Sequence, residues 1–168
     1  MLEIRAIVYT SQTGFTARYA GMLGEATGAP VYPLKEAVKR LERGTPVFYL
    51  GWLCAGSIHG LERASRRFAV QGIGAVGMAP PDPAYTAKLR RPDCLREVPL
   101  FYLRGGYAPG RLRGVYKPMM GIMARRVTKT PAETPEERSI QEAFLLGGDW
   151  VSQGQLAPVL NWIEAGEK

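Results

Sequence analysis

Cysteine and histidine are scarce in this chain, which has two cysteines and one histidine among 168 residues. Cys54 and Cys94 form no C-x-x-C motif, so neither a disulfide framework nor a zinc site is expected, and reduced cytosolic thiols are the default. Because His59 stands alone, a metal centre or catalytic triad built from several histidines is excluded. The sequence therefore predicts no metal site and no catalytic constellation of acid, base and nucleophile.

Long apolar runs are also missing. No segment has the ~18 consecutive apolar residues that a membrane-spanning helix needs, and a strand pattern at the start leaves no room for a signal peptide. The motif G-x-x-x-x-G-K-[ST] is absent, so ATP and GTP hydrolysis lack their usual residues. A chain of 168 residues that is 46% hydrophobic and 22% charged predicts a single cytoplasmic domain spanning 1–168.

Positive charge is concentrated in one part of the chain. The net charge is +7, and residues 86–130 carry eleven lysines and arginines against two acidic residues. Such a segment attracts an acidic protein, an anionic lipid surface or nucleic acid, although a solvated basic face is the simpler alternative. Nucleic acid is not expected as a partner, because aromatic residues do not interleave with the arginines as a stacking platform requires.

Strand and helix patterns alternate along the chain. Near-continuous apolar runs predict five strands, at 4–9, 30–34, 46–50, 73–78 and 98–103. Helical patterns join them, which predicts an α/β fold with a parallel sheet covered on both faces. Thr134 and Glu137 form a capping box ahead of a helix, and the last helix carries Leu156, Val159, Leu160 and Ile163 on one face.

The loop after the first strand has the composition of an anion site. Its residues are Ser11, Gln12, Thr13, Gly14, Phe15 and Thr16. A strand that turns through hydroxyl residues into a helix aims backbone N–H groups and the positive end of the helix dipole at one point. The loop itself has no lysine or arginine, so dipoles and neutral donors favour a monophosphate ester over a magnesium-bound triphosphate. In the alternative, Ser11 or Thr13 merely caps the helix.

The pattern Ser11-x-Thr13-Gly14-x-Thr16 resembles the phosphate loop of the flavodoxin family, which binds flavin mononucleotide (FMN). The resemblance implies a three-layer sandwich whose five-stranded parallel sheet has the order 2-1-3-4-5. It also implies FMN as the cofactor. In an open sheet of this kind, ligands bind beyond the carboxyl ends of the strands, so the loops after the third and fourth strands are expected to border the flavin ring.

Those two loops supply the remaining candidate residues. The first contains Gly51, Trp52, Leu53, Cys54, Ala55 and Gly56, and the second contains Gly77, Met78, Ala79 and Pro80. The glycines of the first loop permit a close backbone approach, and Trp52 and Leu53 offer a cover for an aromatic ring. In the alternative, Trp52 is simply buried between loop and helix. Met78 offers soft apolar contact, and the prolines after it stiffen the backbone.

Two other features invite functional interpretations. Residues 72–77 match G-x-G-x-x-G, but they overlap the fourth strand and no helix opens on them, so a dinucleotide site is rejected. His59 follows the Trp52 loop, where it either donates to a ligand or is a partly exposed residue at the start of a helix.

The basic, Met-rich segment at 108–130 resembles the tail of menaquinone-dependent protoporphyrinogen oxidases. Members of that branch oxidise a haem precursor and pass electrons to quinone at the membrane. The resemblance implies an FMN-dependent oxidoreductase whose partner is a redox protein or a quinone. Peripheral association with an anionic membrane is a further expectation. The alternatives are a helix that packs on the sheet, a soluble electron carrier without its own substrate, and a non-redox module for another phosphorylated ligand. The oligomeric state stays open.

The charge of the three candidate loops differs from that of acidic flavodoxins. Asp82, at the end of the loop after the fourth strand, is their single acidic residue. Negative charge near a flavin disfavours its anionic reduced form, so a less negative reduction potential is expected than in an acidic carrier.

Overall fold

A mostly parallel β-sheet forms the centre of this α/β fold in a computed structural model that describes residues 2–166. Its strands are β1 (Ala6–Thr10), β2 (Val31–Pro33), β3 (Pro46–Cys54), β4 (Ser57–Ile58), β5 (Ala69–Gly77) and β6 (Leu100–Arg104). The order is β2-β1-β3-β5-β6, with β4 paired antiparallel to β3. The five parallel strands therefore follow the expected spatial order, but the expected count of five is wrong because the hairpin strand β4 makes six.

Helices flank the sheet. They are α1 (Phe15–Thr27), α2 (Leu34–Arg40), α3 (Leu61–Arg67), α4 (Pro83–Ala87), α5 (Tyr116–Lys129), α6 (Pro135–Leu146) and α7 (Ala157–Ala165). A separate antiparallel pair joins β7 (Gly106–Tyr107) to β8 (Gly148–Asp149). The predicted capping box is confirmed, since Thr134 Oγ1 accepts from the Glu137 N–H and the Glu137 carboxylate accepts from the Thr134 N–H.

Two apolar cores lie on opposite faces of the sheet, and β3 contributes to both. Val47 and Tyr49 belong to the core beneath α2 and α3, whereas Phe48 and Leu50 belong to the core beneath α1 and α7. All four side chains are fully buried. Alternate residues of a strand point to opposite faces, so burial on both faces explains why the strand is a continuous apolar run.

The predicted loop after the third strand is mostly strand and hairpin. β3 continues to Cys54 because its ladder with β5 extends to the pair Trp52–Val76 and its last two residues pair with β4. The chain then reverses at Ala55 and Gly56, whose φ angles are 49° and 76°. Positive φ at both central positions is the geometry of a tight two-residue hairpin turn that suits the twist of the strands.

The apolar positions Ile58, Leu61 and Phe68 predict the inner face of a helix after the third strand, and the structure differs from this prediction in detail. Ile58, Leu61 and Phe68 are all buried, as an inner helical face would be, but α3 contains only Leu61 of the three. The G-x-G-x-x-G stretch at 72–77 lies inside β5, which confirms that it opens no helix. A Cβ on Gly72 would lie 2.7 Å from the rings of Phe48 and Trp162. Gly72 therefore serves close packing between the sheet and α7.

Candidate functional site

The carboxyl ends of β1, β3 and β5 meet at one edge of the sheet, where they border a cavity of about 220 Å³. Twelve of the sixteen candidate residues from the three loops line it. They are Ser11, Gln12, Thr13, Phe15, Thr16, Trp52, Leu53, Cys54, Ala55, Gly77, Met78 and Ala79. The fold thus brings the three loops together as the parallel topology requires.

Four candidate residues do not line the cavity. Gly14 occupies the N-cap of α1 with a φ of 102°, and Gly56 occupies the hairpin turn. Pro80 directly follows Ala79, which is the last residue of that loop to line the cavity. Gly51 is buried in β3, where an added Cβ would lie 2.6 Å from Ile58 Cγ2 and 2.7 Å from the His59 carbonyl oxygen. The close approach that Gly51 permits is therefore to its own hairpin partner β4 and not to the cavity.

The first turn of α1 has no side-chain cap. Ser11 Oγ accepts from the backbone N–H of Gly14 at 3.1 Å, but that residue is the N-cap itself. The alternative in which Ser11 or Thr13 caps the helix is therefore not what the structure shows. The N–H groups at the start of a helix have no intrahelical partner, and here no side chain replaces one. Beside them Thr16 is 1% exposed and lines the cavity.

Arg111 brings to this loop a cation that the loop sequence lacks. Its Nη1 lies 3.4 Å from the carbonyl oxygen of Thr13, a separation of 98 positions along the chain. Two residues further on, the carbonyl oxygen of Arg113 accepts from Gln12 Nε2 at 3.4 Å. Arg111 was missed by sequence reasoning. The cluster of cations in the tail was visible there, but only the folded chain selects which of them reaches the loop.

Trp52 forms one wall of the cavity and is held by two other rings. The His59 ring stacks on it with centroids 4.7 Å apart, and the Tyr116 ring meets its edge at 5.0 Å. The backbone N–H of His59 donates to the Trp52 carbonyl oxygen at 2.9 Å, which ties both residues to the hairpin. Partial burial lowers the pKa of His59 from its ordinary value of 6.5. Trp52 therefore lines the cavity with its ring held in place by two neighbouring rings.

The carbonyl groups of the loop after β5 are held by residues at the end of β6. Tyr102 Oη donates to the Ala79 carbonyl oxygen at 2.6 Å, and Arg104 Nε donates to the Met78 carbonyl oxygen at 3.0 Å. The Arg104 guanidinium also lies 3.9 Å from the centroid of the Trp150 ring. Burial lowers the pKa of Arg104 and raises that of the Tyr102 hydroxyl. The backbone at 78–79 is thus oriented by side chains, which the prolines alone did not predict.

The outer wall of the cavity comes from the segment after β6, which sequence reasoning did not include in the site. Its lining residues are Tyr107, Leu112, Tyr116, Met120, Met123 and Phe144. Three of them lie in α5 at the spacing of one helical face. No residue of α5 is fully buried, so this wall is held less firmly than the sheet.

The other side of α5 combines exposed apolar side chains with cations. Val115, which directly precedes the helix, is 73% exposed and Ile122 is 55% exposed, while Lys117, Arg125 and Arg126 lie on the surface. The sequence contains no acidic residue from 98 to 132. None of the helices described for residues 2–166 is both long and apolar enough to cross a membrane.

No cluster of three or more potential metal ligands occurs within residues 2–166. Asp82, the single acid of the candidate loops, caps α4 by accepting from the Ala84 N–H at 2.9 Å. Searches of protein-family models, curated proteins and solved structures find no match to this chain. The function must therefore be argued from the geometry of the cavity.

Proposed function

We propose that this chain is a flavodoxin-like, FMN-binding oxidoreductase that transfers electrons through bound flavin. The observation that carries the proposal is the uncapped start of α1 beside Ser11, Thr13 and Thr16, which opens on a cavity with aromatic and methionine walls. One end of that cavity suits an anion, and the other suits a flat apolar ring. FMN has that combination of groups.

The donors at the first end fit a phosphate monoester. Three hydroxyl residues, Ser11, Thr13 and Thr16, line the cavity, and backbone N–H groups at a helix start bind phosphate without further charge. Arg111 adds a guanidinium near the same loop. Nothing in this donor set suits a magnesium ion, because Asp82 is committed to capping α4.

The walls at the other end fit an aromatic ring system. Trp52 is braced by His59 and Tyr116, so its ring has the fixed orientation that stacking needs. Met78, Met120 and Met123 supply adaptable apolar contact. The volume of about 220 Å³ lies below the ~300–1,000 Å³ of ordinary ligand pockets, so entry of the ring requires α5 to move outward. Because α5 has no buried residues, the free-energy cost of that movement is small.

Bound flavin supplies the redox chemistry, and the protein supplies binding, orientation and electrostatics. This division agrees with a single histidine and the absence of a catalytic constellation. The cavity loops are poor in acidic groups, while Arg104 and Arg111 bring cations to them. Coulomb attraction stabilises an anionic reduced flavin there, so the reduction potential should be less negative than in an acidic carrier.

The partners we propose are a quinone or an acidic redox protein. Val115, which directly precedes α5, and Ile122 of α5 are exposed among basic side chains, and that combination suits the headgroup region of an anionic membrane. We therefore propose a cytoplasmic protein that associates with the inner face of the membrane. A soluble carrier without its own substrate is the second candidate, since the same cavity serves both functions.

The first experiment is an absorption spectrum of the purified protein and a titration with FMN followed by quenching of flavin fluorescence. Thr16→Val removes one buried hydroxyl and should weaken FMN binding about 10- to 100-fold, since a hydrogen bond to a charged group contributes ~1.5–3 kcal/mol. Thr27→Val, at the far end of α1, is the matched control and should leave the affinity unchanged. Failure of the wild-type protein to bind FMN would refute the proposal.

Turnover separates the two redox candidates. Catalytic reduction of a quinone with a candidate donor supports the oxidoreductase. A protein that binds FMN and exchanges electrons only with other proteins is a carrier.

A further inference from the structure

Arg111 is a cation at the loop proposed to hold phosphate, and no carboxylate of the described residues 2–166 forms a salt bridge with it. Its guanidinium lies 3.4 Å from the Thr13 carbonyl oxygen and 3.8 Å from where a Cβ on Gly14 would lie. Within residues 2–166 it forms no salt bridge; its charge helps to lower the pKa of Asp149, but that carboxylate pairs with Arg18 at 2.6 Å. A neutral carbonyl at 3.4 Å is a weak partner for a guanidinium. Arg111 is therefore free to turn to a stronger acceptor at the same loop.

The position of Arg111 in the chain connects this loop to the outer wall of the cavity. It ends the short turn Pro109–Arg111, and α5 begins five positions later at Tyr116. The Gln12 side chain also donates to the Arg113 carbonyl oxygen. Two contacts thus join the phosphate loop to the segment that leads into α5, and Tyr116 and Met120 of that helix line the cavity.

We propose that Arg111 recognises the phosphate group of the ligand and makes the site select FMN over unphosphorylated riboflavin. This inference rests on the proposed function and assigns it a specificity-determining residue. Guanidinium and phosphate form two parallel charge-assisted hydrogen bonds, which are about twice as strong as neutral ones. Because Arg111 precedes α5, its capture by phosphate also holds Tyr116 and Met120 against the ring.

The test compares the affinities of FMN and riboflavin in wild type, Arg111→Gln and Arg125→Gln. Arg125 is an exposed cation of α5, so its variant makes the same change of charge in the same segment. Arg111→Gln should weaken FMN binding about 10- to 100-fold, the range that corresponds to a charge-assisted hydrogen bond. Riboflavin affinity should be unchanged in all three proteins. Arg111→Lys keeps the charge but loses the paired geometry, so it should fall between wild type and Arg111→Gln.

Salt dependence gives a second measurement. FMN affinity of the wild type should fall more steeply with ionic strength than that of Arg111→Gln, because the variant has lost a charge at the phosphate. A ratio of FMN to riboflavin affinity that is the same in Arg111→Gln and wild type would overturn the inference, provided circular dichroism shows both proteins folded.

Failure of the proposed function is distinguishable from failure of this inference. If the wild-type protein binds neither flavin, the proposed function is refuted, and Arg111 is tested with inorganic phosphate alone. Phosphate should then shift the amide NMR signals of Thr13 and Gly14 in the wild type and leave them in place in Arg111→Gln. Equal shifts in the two proteins would overturn the role of Arg111.

Discussion

The indole ring of Trp52 and the imidazole ring of His59 stack with centroids 4.7 Å apart and planes 27° from parallel. One ring lines the cavity, and the other lies on the surface behind it. The hydrogen bond from the backbone N–H of His59 to the Trp52 carbonyl oxygen fixes the pair across the β3–β4 hairpin. A substitution at His59 should therefore change the orientation of the Trp52 ring in the cavity.

The pKa of His59 should be measurably below 6.5, because partial burial disfavours its charged form. The folded protein then binds this proton less tightly than the unfolded chain. The stabilising contribution is complete above about pH 6.5 and is lost as the pH falls through the folded pKa. As the single histidine, His59 gives an unambiguous NMR titration. His59→Gln should remove its part of the pH dependence of unfolding, and a measured pKa above 6.5 would contradict this account.

FMN should protect Cys54 from a thiol reagent and leave Cys94 reactive. Cys54 is partly buried and lines the cavity, whereas Cys94 is exposed in the connection between β5 and β6. With FMN at about ten times its dissociation constant, mass action should slow the labelling of Cys54 about tenfold. Mass spectrometry of peptides after timed labelling measures both sites in one sample. Equal slowing of the two cysteines would indicate general stabilisation and not occupancy of the cavity.

Tyr49→Phe should destabilise the fold by about 1–3 kcal/mol, because it leaves the His59 carbonyl oxygen without its donor. The hydroxyl of the fully buried Tyr49 donates to the His59 carbonyl oxygen at 2.6 Å and lies 2.8 Å from Thr10 Oγ1. It thus joins the end of β1 to the residue that directly follows β4. Urea unfolding provides the measurement. Tyr32→Phe is the control, because the half-buried Tyr32 has no side-chain hydrogen-bond partner within residues 2–166. An equal loss of unfolding free energy in both variants would contradict this explanation.

The same substitution at two glycines of α1 should have opposite effects on stability. A Cβ on Gly21 meets nothing within 4 Å, so Gly21→Ala should stabilise by about 0.5–1 kcal/mol through helix propensity. A Cβ on Gly24 would overlap Val31 Cγ2 and approach the Ala29 carbonyl oxygen at 3.2 Å. Gly24→Ala should therefore destabilise by about 1–3 kcal/mol. Thermal unfolding of both variants checks the signs, and two changes of the same sign would contradict the packing of α1 on β2.

Sequence reasoning succeeded where neighbouring residues carry the signal. The buried strands were recognisable because burial on both faces demands an unbroken apolar run, as in the stretch from Val47 to Leu50. The capping box at Thr134 was recognisable because its partners are three positions apart. It failed at the hairpin after β3, where Gly51 was interpreted as a loop residue. The pairing of Trp52 with Val76, which extends the strand, depends on a neighbour that the local pattern does not reveal.

The candidate site divides in the same way. The hydroxyl loop of Ser11, Thr13 and Thr16 is contiguous, so its chemistry is determined by the sequence alone. Only the folded chain brings Arg111 to the Thr13 carbonyl across 98 positions and places Met120 over the cavity. Local hydrogen bonding and periodicity are properties of adjacent residues, whereas the partner of a long side chain is decided by how distant elements pack. The sequence therefore determined the hydroxyl loop, and the tertiary structure decided which cation lies beside that loop and which helix forms the outer wall of the cavity.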